Sequence, residues 1–512
     1  MALKIRVLIV LITVFTGSVF GRNGVEISSY MPVIPMFKGE NHNQLLRLTI
    51  YVPEHYKTFN LNELTGTLND AGAKHIQQLD VFYNGYEPNF STQNKIISVP
   101  ARKDLKIKVD LNLKPGLHYI WFSASLEPLA NIDDVVEFKI IEAMGEQNQK
   151  ITIKPISKQY SKRIGIVVKK ANEDNIHTFR IPGITTTGKG TLIAVYDIRY
   201  KHAGDLPANI DVGMSRSKDG GRTWEPMKII MDMGEPHDNN GVGDPAILYD
   251  PVNKKIWVIA LWSKGNKSIA GSKPGLSEDE TGQLVLVSSS DDGLTWSKPK
   301  SITAGVKNPK WNLFFNGPGG GIVTADGKLV FAAQYWDENA IPHSTLIYSS
   351  DGGITWKTEN GPKSNTTEAQ IVETQPGTLM LNMRDNRGAF RSIAVTKDYG
   401  KTWKEHRTSY SALPDPVCMA SFIKEKVSVK GMLKDIVFFG NDNTPSGRYN
   451  LTIKASLDLA ETWNPKNELL IDERKLYGYS ALTKIDDKTL GFFYEGIRDL
   501  YFVRIPVDEI IK

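Results

Sequence analysis

The chain has 512 residues, of which 40% are hydrophobic and 23% charged, a composition typical of globular proteins with two or three domains. Its formal charge of +5 is small and spread along the chain, which argues against nucleic acid or a membrane surface as a partner. The single cysteine, Cys418, excludes an intramolecular disulfide and a cysteine-based metal site, and we expect it to be a buried, inert thiol. The histidines lack paired ligand spacing, so we expect no metal and no cofactor.

Residues 1–21 have the pattern of a cleaved signal peptide. Lys4 and Arg6 precede an apolar run over residues 7–20, and small residues such as Val19 and Gly21 lie at positions that a signal peptidase would read. The run is short for a membrane span, and no later segment is long and apolar enough to cross a bilayer. We therefore expect a periplasmic or secreted protein without a membrane span.

Residues 22–156 are predicted to form a separate β-sandwich. Segments 46–52, 106–111 and 118–123 alternate apolar and polar side chains, as half-buried antiparallel strands do, and Gly and Pro turns separate them. The domain is a candidate carbohydrate-binding module through Tyr83, Tyr86 or Trp121. The alternative is that these aromatic residues belong to a core or a domain interface.

Residues 157–512 repeat one phrase, Ser/Thr-x-Asp-x-Gly-x-Thr-Trp. Full copies occupy residues 217–224, 289–296, 349–356 and 396–403, and a fifth copy at 456–463 has Ala460 in place of the glycine of the phrase. The phrase predicts a hairpin turn, in which the Asp accepts backbone N–H bonds, glycine takes positive φ and the Trp packs between neighbouring units. Because the phrase recurs at long, similar intervals, each copy marks one unit of a repeat architecture. The repeats predict an all-β fold with a six-bladed β-propeller after the β-sandwich.

Three arginines in the repeat region are candidates for binding an anion. Arg180 lies in the sequence Phe-Arg-Ile-Pro at 179–182, where a lone charge in an apolar strand needs an anionic partner, and Arg384 and Arg448 lie at other predicted strand ends. If the inner strands of a propeller bring them to one mouth, three guanidinium groups would form a multidentate socket for a carboxylate or phosphate. Taken singly, each arginine is more often a partner in an ordinary salt bridge.

With this arginine motif and the five repeated turns, residues 160–512 resemble the bacterial exo-α-sialidases, also called neuraminidases, which are six-bladed propellers with Asp boxes. The resemblance implies substrate-binding roles for Arg180, Arg384 and Arg448 as a carboxylate-binding triad, Arg199 at the pocket border, Asp244 on the amide and hydroxyl side of the sugar, and Glu495 as the residue that holds the first triad arginine. It implies catalytic roles for Asp205 as general acid/base, Glu368 as the base that activates the nucleophile, and Tyr479 as that nucleophile. Ala481 departs from the family's acidic residue after Tyr-Ser.

The implied activity is hydrolysis of terminal α-linked sialic acids from glycoproteins, glycolipids and oligosaccharides with retention, with sialylated glycans as partners and no obligate protein partner. Sialic acid carries a carboxylate on its anomeric carbon, so a neutral phenol approaches it without the repulsion that an enzymic carboxylate would meet. Trp336, Gln334 and Trp262 are candidates for the glycerol or N-acetyl pocket or for the core, and the loop 265–282 is a candidate rim.

Three alternatives remain open from the sequence. A trans-sialidase shares every catalytic residue, a sialic-acid-binding lectin keeps the arginines without the chemistry, and a structural Asp-box propeller needs neither. Because no candidate residue precedes Phe179, we expect the N-terminal domain to be dispensable for the chemistry.

Overall fold

The computed structural model describes residues 24–157 and 160–512, and their regular structure is almost entirely β. This confirms the all-β prediction, whereas the signal peptide predicted at residues 1–21 lies outside the described residues. The chain forms two compact units, of which the first includes Asn41–Glu127 and Val136–Ser161 and the second Lys162–Lys512. Within the described ranges, no helix is long and apolar enough to span a membrane.

The N-terminal part of the chain alternates strands with short turns. Its strands are β1 (Glu26–Tyr30), β2 (Met36–Lys38), β3 (Asn43–Val52), β4 (Phe59–Leu68), β5 (Ile76–Tyr83), β6 (Lys95–Val99), β7 (Asp104–Leu113), β8 (Gly116–Leu126), β9 (Val135–Met144), β10 (Lys150–Thr152) and β11 (Lys154–Pro155). Helix α1 (Asp70–His75) begins at Asn69, whose side chain accepts a hydrogen bond from the Gly72 N–H.

The first unit contains two sheets. One has the strand order β11-β1-β3-β8-β5-β6, and in the other β4 pairs with β7 and β9, and β9 with β10. Phe122 of the first sheet packs on Phe138 of the second, with ring centroids 5.3 Å apart. This is the two-layer packing expected of a β-sandwich. Trp121 is buried and its indole N–H binds the Pro88 carbonyl, as the core alternative requires, while Tyr86 is 58% exposed.

The remaining strands follow one another in regular antiparallel groups. They are β12 (Ser161–Lys169), β13 (Thr178–Thr186), β14 (Leu192–Arg199), β15 (Ile210–Ser217), β16 (Lys228–Met231), β17 (Asn240–Asp250), β18 (Lys255–Lys264), β19 (Gln283–Ser289), β20 (Lys300–Ser301), β21 (Leu313–Val323), β22 (Leu329–Trp336), β23 (Pro342–Ser349), β24 (Lys357–Thr358), β25 (Thr366–Gln375), β26 (Thr378–Asp385), β27 (Ala389–Phe390), β28 (Ser392–Thr396), β29 (Lys404–Glu405), β30 (Pro414–Asp415), β31 (Ser421–Val429), β32 (Met432–Asp442), β33 (Leu451–Ser456), β34 (Glu468–Asp472), β35 (Ser480–Asp486), β36 (Thr489–Glu495) and β37 (Leu500–Pro506). Short helices lie at α2 (Thr303–Val306) and α3 (Val507–Ile510), and single 3₁₀ turns at Glu146–Asn148, Glu173–Asn175, His237–Asn239 and Pro465–Asn467.

Antiparallel groups of four strands recur along the second unit. They are β13 to β16, β17 to β20, β21 to β24, then β25, β26, β28 and β29, then β31 to β34, and finally β35 to β37 with β12. The first strands of these groups contact one another in the cyclic order β13, β17, β21, β25, β31, β35 and back to β13. Because β12 pairs with β37, strands from the two ends of this unit share one sheet.

The five repeated phrases form turns between antiparallel strands, as predicted, and the structure places each turn between the third and fourth strands of one of the first five groups. In the copy at 349–356, the Ser349 hydroxyl binds the Asp351 carboxylate and accepts from the Gly353 N–H, while Thr355 donates its N–H and its hydroxyl to Asp351. The other four copies make the same four bonds. In the fifth copy Ala460 itself takes φ of +71°, a conformation that glycine adopts more readily.

Two segments of the N-terminal sequence, Val33–Glu40 and Pro128–Val135, belong to the second unit. Strand β2 pairs in parallel with β12, and Phe37 stacks on Tyr501 with ring centroids 4.0 Å apart. Asp133 accepts hydrogen bonds from Arg504 and Arg222. No single boundary in the sequence therefore separates the two units. A truncation that removes all residues before 157 would also remove two segments that pack within the second unit.

Candidate active site

A cavity of about 270 Å³ in the second unit brings the predicted site residues together. Among the residues that line it are Arg180, Asp205, Asp244, Glu368, Arg384, Arg448 and Tyr479. The other two predicted residues, Arg199 and Glu495, are buried and contact lining residues. Since these residues come from β13, β14, β17, β25, β26, β36 and the connections between strands, the site depends on how the strand groups are arranged.

Glu495 anchors one wall of the cavity. Its fully buried carboxylate accepts a hydrogen bond from Arg180 Nε at 3.0 Å and from the backbone N–H groups of Ile181 and Tyr479 at 2.9 and 3.0 Å. Ile181 lies at φ of +58°, where the register of β13 with β14 is interrupted, a costly conformation for a β-branched residue. The buried carboxylate stabilises this bend and contacts Arg180, which lines the cavity.

The Tyr479 phenol and the Glu368 carboxylate form a short hydrogen-bonded contact in the cavity. The phenol oxygen lies 2.5 and 2.6 Å from the two oxygens of Glu368, and Arg384 Nη1 donates to the same phenol at 3.0 Å and to Glu368 at 2.6 Å. Burial raises the pKa of Tyr479 well above its ordinary value, and the charge of Glu368 raises it further, while Arg384 and Arg180 oppose both effects. The phenol is therefore neutral at neutral pH and has a base beside it.

Arg448 is held differently from the other two arginines of the predicted triad. Arg180 and Arg384 are paired with Glu495 and Glu368, whereas Arg448 donates to the backbone carbonyls of Tyr477 at 2.8 Å and Val417 at 3.3 Å. Within residues 24–157 and 160–512, no carboxylate forms an ion pair with Arg448. Its positive charge is thus the least compensated of the three and is available to an anionic ligand.

Asp205 lies at the mouth of the cavity with its side chain 77% exposed. Its carboxylate binds Arg199 Nη1 at 2.7 Å and is 3.5 Å from Arg180 Nη1. Partial desolvation acts to raise the pKa of Asp205, but the charges of Arg199 and Arg180 outweigh it and hold the pKa below its ordinary value. In the free protein this carboxylate is ionised at neutral pH.

A further carboxylate, Asp197, binds both Arg199 and the backbone of Asp244. The sequence alone does not identify this structural role. Asp197 is buried, binds Arg199 at 2.8 and 3.1 Å, and accepts the backbone N–H of Asp244 at 2.9 Å. Burial and the charges of Asp197 and Asp205 raise the pKa of Asp244 well above its ordinary value. The signal that could have found Asp197 is its position two residues before Arg199 on β14, because alternate residues of a strand share a face.

The rest of the cavity lining is mostly apolar, and its members come from three strands and two loops. Leu206, Leu261, Phe315 and Trp336 line the cavity, and the Phe315 and Trp336 rings stack with centroids 5.6 Å apart. Gln334 also lines it and donates to the Asn316 carbonyl. Ser268 and Ile269 place the predicted rim loop at the cavity, whereas Trp262 binds Asn240.

Two other sequence expectations concern Ala481 and Cys418. Ala481, which stands in place of the family's acidic residue, packs among buried apolar residues that include Tyr196 and Phe493. Cys418 is fully buried, as expected, and packs against Ile181 and Tyr479. In the part of the chain that the structure describes, no group of three or more His, Cys, Asp or Glu residues could hold a metal ion.

Family models match both parts of the chain. Residues 190–494 match a BNR repeat-like domain, and residues 22–148 match the N-terminal domain of BNR-repeat neuraminidase. A sialidase of Bacteroides fragilis is 44% identical over 464 residues, which cover 88% of this chain and 85% of that protein. The chain belongs to the bacterial sialidase family. The sequence resemblance is thereby confirmed, and sialidases are glycoside hydrolases.

Solved structures agree with this membership. A Hadza microbial sialidase has a TM-score of 0.86 and 38% identity, and the match covers 94% of this chain and all of the other. The intramolecular trans-sialidase from Ruminococcus gnavus has a TM-score of 0.57 at 19% identity, with 66% of this chain and 96% of the other covered. At that identity the second likeness shows the sialidase fold alone.

Proposed function

We propose that the chain is an exo-α-sialidase that hydrolyses terminal α-linked sialic acids of glycoproteins, glycolipids and oligosaccharides with retention. Tyr479 is the nucleophile and forms a covalent sialyl intermediate. The observation that carries this proposal is the contact of the neutral Tyr479 phenol with both Glu368 oxygens, at 2.5 and 2.6 Å, in a cavity with three arginines. A family member without this chemistry would have no need of a base at the phenol.

The arginines and the phenol suit the charge on the substrate. Arg180, Arg384 and Arg448 bind the carboxylate that sialic acid carries on its anomeric carbon, and Arg448 contributes the least compensated charge. The socket orients the sugar and stabilises it as the ring becomes oxocarbenium-like. A carboxylate nucleophile would meet like charge at this carbon, whereas a phenol does not.

The reaction proceeds in two displacements. First, the Tyr479 oxygen bonds to the anomeric carbon while Glu368 takes the phenol proton, and Asp205 protonates the departing glycosidic oxygen. Second, Asp205 takes a proton from water, whose oxygen bonds to the anomeric carbon as the bond to Tyr479 breaks. Glu368 then returns the proton to the phenol. Two inversions at one carbon give retention, and tyrosine-nucleophile sialidases are an established exception to the usual pair of carboxylates.

Asp205 must carry a proton when it acts as the general acid, yet Arg199 and Arg180 keep it ionised in the free protein. Binding of the substrate carboxylate to Arg180 compensates one of these charges. We infer that substrate binding raises the pKa of Asp205 and so favours the protonated form at the time when it is needed. The exposed position of this side chain gives it access to protons from solvent.

Transglycosylation uses the same residues as hydrolysis and differs in whether water or an acceptor sugar reaches the intermediate. Following the reactions of sialyllactose isomers by NMR reports linkage preference, the anomer released first and any new linkage together. A β-anomer as the first product would contradict retention, and a new sialoside in place of free sialic acid would indicate a trans-sialidase.

The architecture and location proposed from the sequence have separate supports. The cyclic contacts of the first strands of the six groups support a six-bladed propeller over residues 157–512.

The exposed Tyr86 supports a glycan-binding role of the N-terminal unit. Comparison of the wild type with the Tyr86→Ala variant on a glycan array would test this role. Export to the periplasm or medium rests on residues 1–21, and N-terminal sequencing of the exported protein would locate the cleavage site.

Trapping the intermediate tests the proposed function directly. A fluorinated sialosyl fluoride should add one sialyl group to the protein, and peptide mass analysis should place it on Tyr479. Tyr479→Phe is the matched control, because it removes the nucleophilic oxygen and retains the ring. A label on Asp205 or Glu368, or equal labelling of Tyr479→Phe, would contradict the assignment.

A further inference from the structure

A buried guanidinium lies behind the cavity, outside its lining. The Arg391 side chain, between β27 and β28, has no exposed surface. Its Nε donates to Asn382 Oδ1 at 2.7 Å, and Nη2 donates to the Asn382 carbonyl at 3.1 Å. Its Nη1 donates to the Cys418 carbonyl at 2.6 Å and is 3.5 Å from the Asp415 carboxylate. One side chain therefore joins β26 to the segment that follows β30.

Each of these two points of attachment adjoins a substrate-binding arginine. Asn382 precedes Arg384 by two residues on β26, so the two side chains leave the same face of the strand. Cys418 follows Val417, whose carbonyl accepts the hydrogen bond from Arg448. A shift of either point would move one arginine of the carboxylate socket relative to the other.

The segment that presents the Val417 carbonyl depends on this attachment. Val417 has φ of +60°, which is unfavourable for a β-branched residue, and its carbonyl is oriented by this conformation. The Cys418 N–H donates to Asp415 at 3.0 Å, and Arg391 binds both the Cys418 carbonyl and Asp415. Arg391 thus stabilises the strained turn that holds Arg448.

We propose that Arg391 is a positioning residue that sets the spacing of Arg384 and Arg448, and thereby the affinity of the site for the substrate carboxylate. The inference rests on the proposed function, in which those two arginines bind that carboxylate. A lysine cannot replace Arg391 fully, because an ammonium is a compact charge and the planar fork of a guanidinium reaches both attachments at once. Removal of the charge also leaves Asp415 buried without its cation.

The test compares two reversible inhibitors that differ in charge. The 2,3-didehydro analogue of N-acetylneuraminic acid carries the carboxylate, and its 1-carboxamide does not. We expect Arg391→Met to weaken the carboxylate inhibitor by about 10- to 100-fold and the carboxamide by less than about threefold. Arg391→Lys should have an intermediate effect. The inhibition constant of the carboxamide divided by that of the carboxylate should therefore be largest for the wild type, smaller for Arg391→Lys and smallest for Arg391→Met.

Arg216→Met is the matched control for loss of a buried guanidinium. Arg216 is 2% exposed, pairs with Glu225 at 3.1 Å and does not line the cavity. Its substitution should lower the melting temperature, as Arg391→Met should, yet keep the wild-type ratio of inhibition constants. If Arg391→Met does not fold, Arg391→Lys tests the same ratio.

Arg448→Ala separates failure of this inference from failure of the proposed function. If Arg448→Ala leaves the preference for the carboxylate inhibitor intact, the arginine socket of the proposed function is wrong. Suppose instead that Arg448→Ala lowers the preference for the carboxylate inhibitor. If a folded Arg391 variant then keeps the wild-type ratio of inhibition constants, or binds both inhibitors more weakly by the same factor, only the inference on Arg391 is overturned.

Discussion

The Asp-box turns and the cavity use the same kinds of side chain for different purposes. In the turn at 349–356, Asp351 binds groups two to four residues away, and five copies repeat these bonds whatever their position in the unit. In the cavity, Tyr479 meets Glu368 across 111 residues of sequence and Arg180 meets Glu495 across 315. Local bonds therefore stabilise a turn that can be repeated, whereas a reactive site needs partners that only folding brings together.

Substitution of the nucleophile should give the largest effect, because it changes the chemistry and leaves the turns intact. We expect Tyr479→Phe to lower kcat by about 10⁴-fold or more, with little change in melting temperature. Steady-state kinetics on an aryl sialoside, with circular dichroism melts, checks both. A large fall in melting temperature with kcat retained would contradict the division between the two regions.

Loss of the general acid should depend on the leaving group. Asp205→Ala should lower the rate with sialyllactose by about 10²- to 10⁴-fold, because an alcohol must be protonated as it departs. An aryl sialoside with an acidic phenol should lose much less. Kinetics of both substrates decides, and equal losses would show that another carboxylate is the acid.

The pH dependence of kcat and kcat/KM tests whether the substrate changes the pKa of Asp205. The kcat/KM profile reports the free protein, in which the pKa of Asp205 is lowered, and the kcat profile reports the complex, in which we expect it to be raised. With sialyllactose, the alkaline fall of kcat should therefore lie at higher pH than that of kcat/KM. If kcat and kcat/KM fall at the same pH, substrate binding does not raise the pKa of Asp205, and the proposed compensation of the Arg180 charge is wrong.

The Asp-box carboxylates should affect stability in acid and leave catalysis unchanged. Hydrogen bonds, the largest from Thr295, Thr355 and Thr402, lower the pKa of Asp291, Asp351 and Asp398 to about 2. Since these folded values lie below the ordinary value near 3.9, the stabilisation is complete above about pH 4 and is lost as the pH falls towards 2. Melting temperatures across this range check the expectation.

For a single box, we expect Asp351→Ala to lower the melting temperature at pH 7 by about 2–4 °C. The variant should also lack the part of the acid-induced fall in melting temperature that comes from Asp351. Its kcat should equal that of the wild type. A tenfold loss of kcat would mean that the turn and the cavity are coupled more closely than their separate bonding suggests.

The smallest effect should come from the fifth box, where Ala460 occupies φ of +71°. Ala460→Gly removes the strain of a Cβ in the left-handed region, partly offset by greater freedom of the unfolded chain and loss of a buried methyl. We expect a stabilisation of about 0.5–1 kcal/mol, measured by urea unfolding of the wild type and the variant. A destabilisation of that size would show that packing of the methyl outweighs the backbone strain.

The elements whose hydrogen bonds are local can be predicted from the amino-acid sequence alone. Each box contains its own donors and acceptor, so Asp351 and its four counterparts, the strand endings beside them and the repeated strand groups could be predicted without a partner elsewhere. The family motifs also indicated the nine candidate site residues, because each motif surrounds one of them.

Contacts between residues far apart in the sequence become visible only in the folded protein. Asp197 and Arg391 have no distinctive motif, because their partners are backbone groups and side chains on other strands. The apolar wall around Phe315 likewise arises where strands and loops converge. Phe37 lies within the range 22–156, and the pairing of β2 with β12 places it in the second unit. Hydrogen bonds and packing between remote segments have no fixed spacing along the chain, so these features depended on the fold.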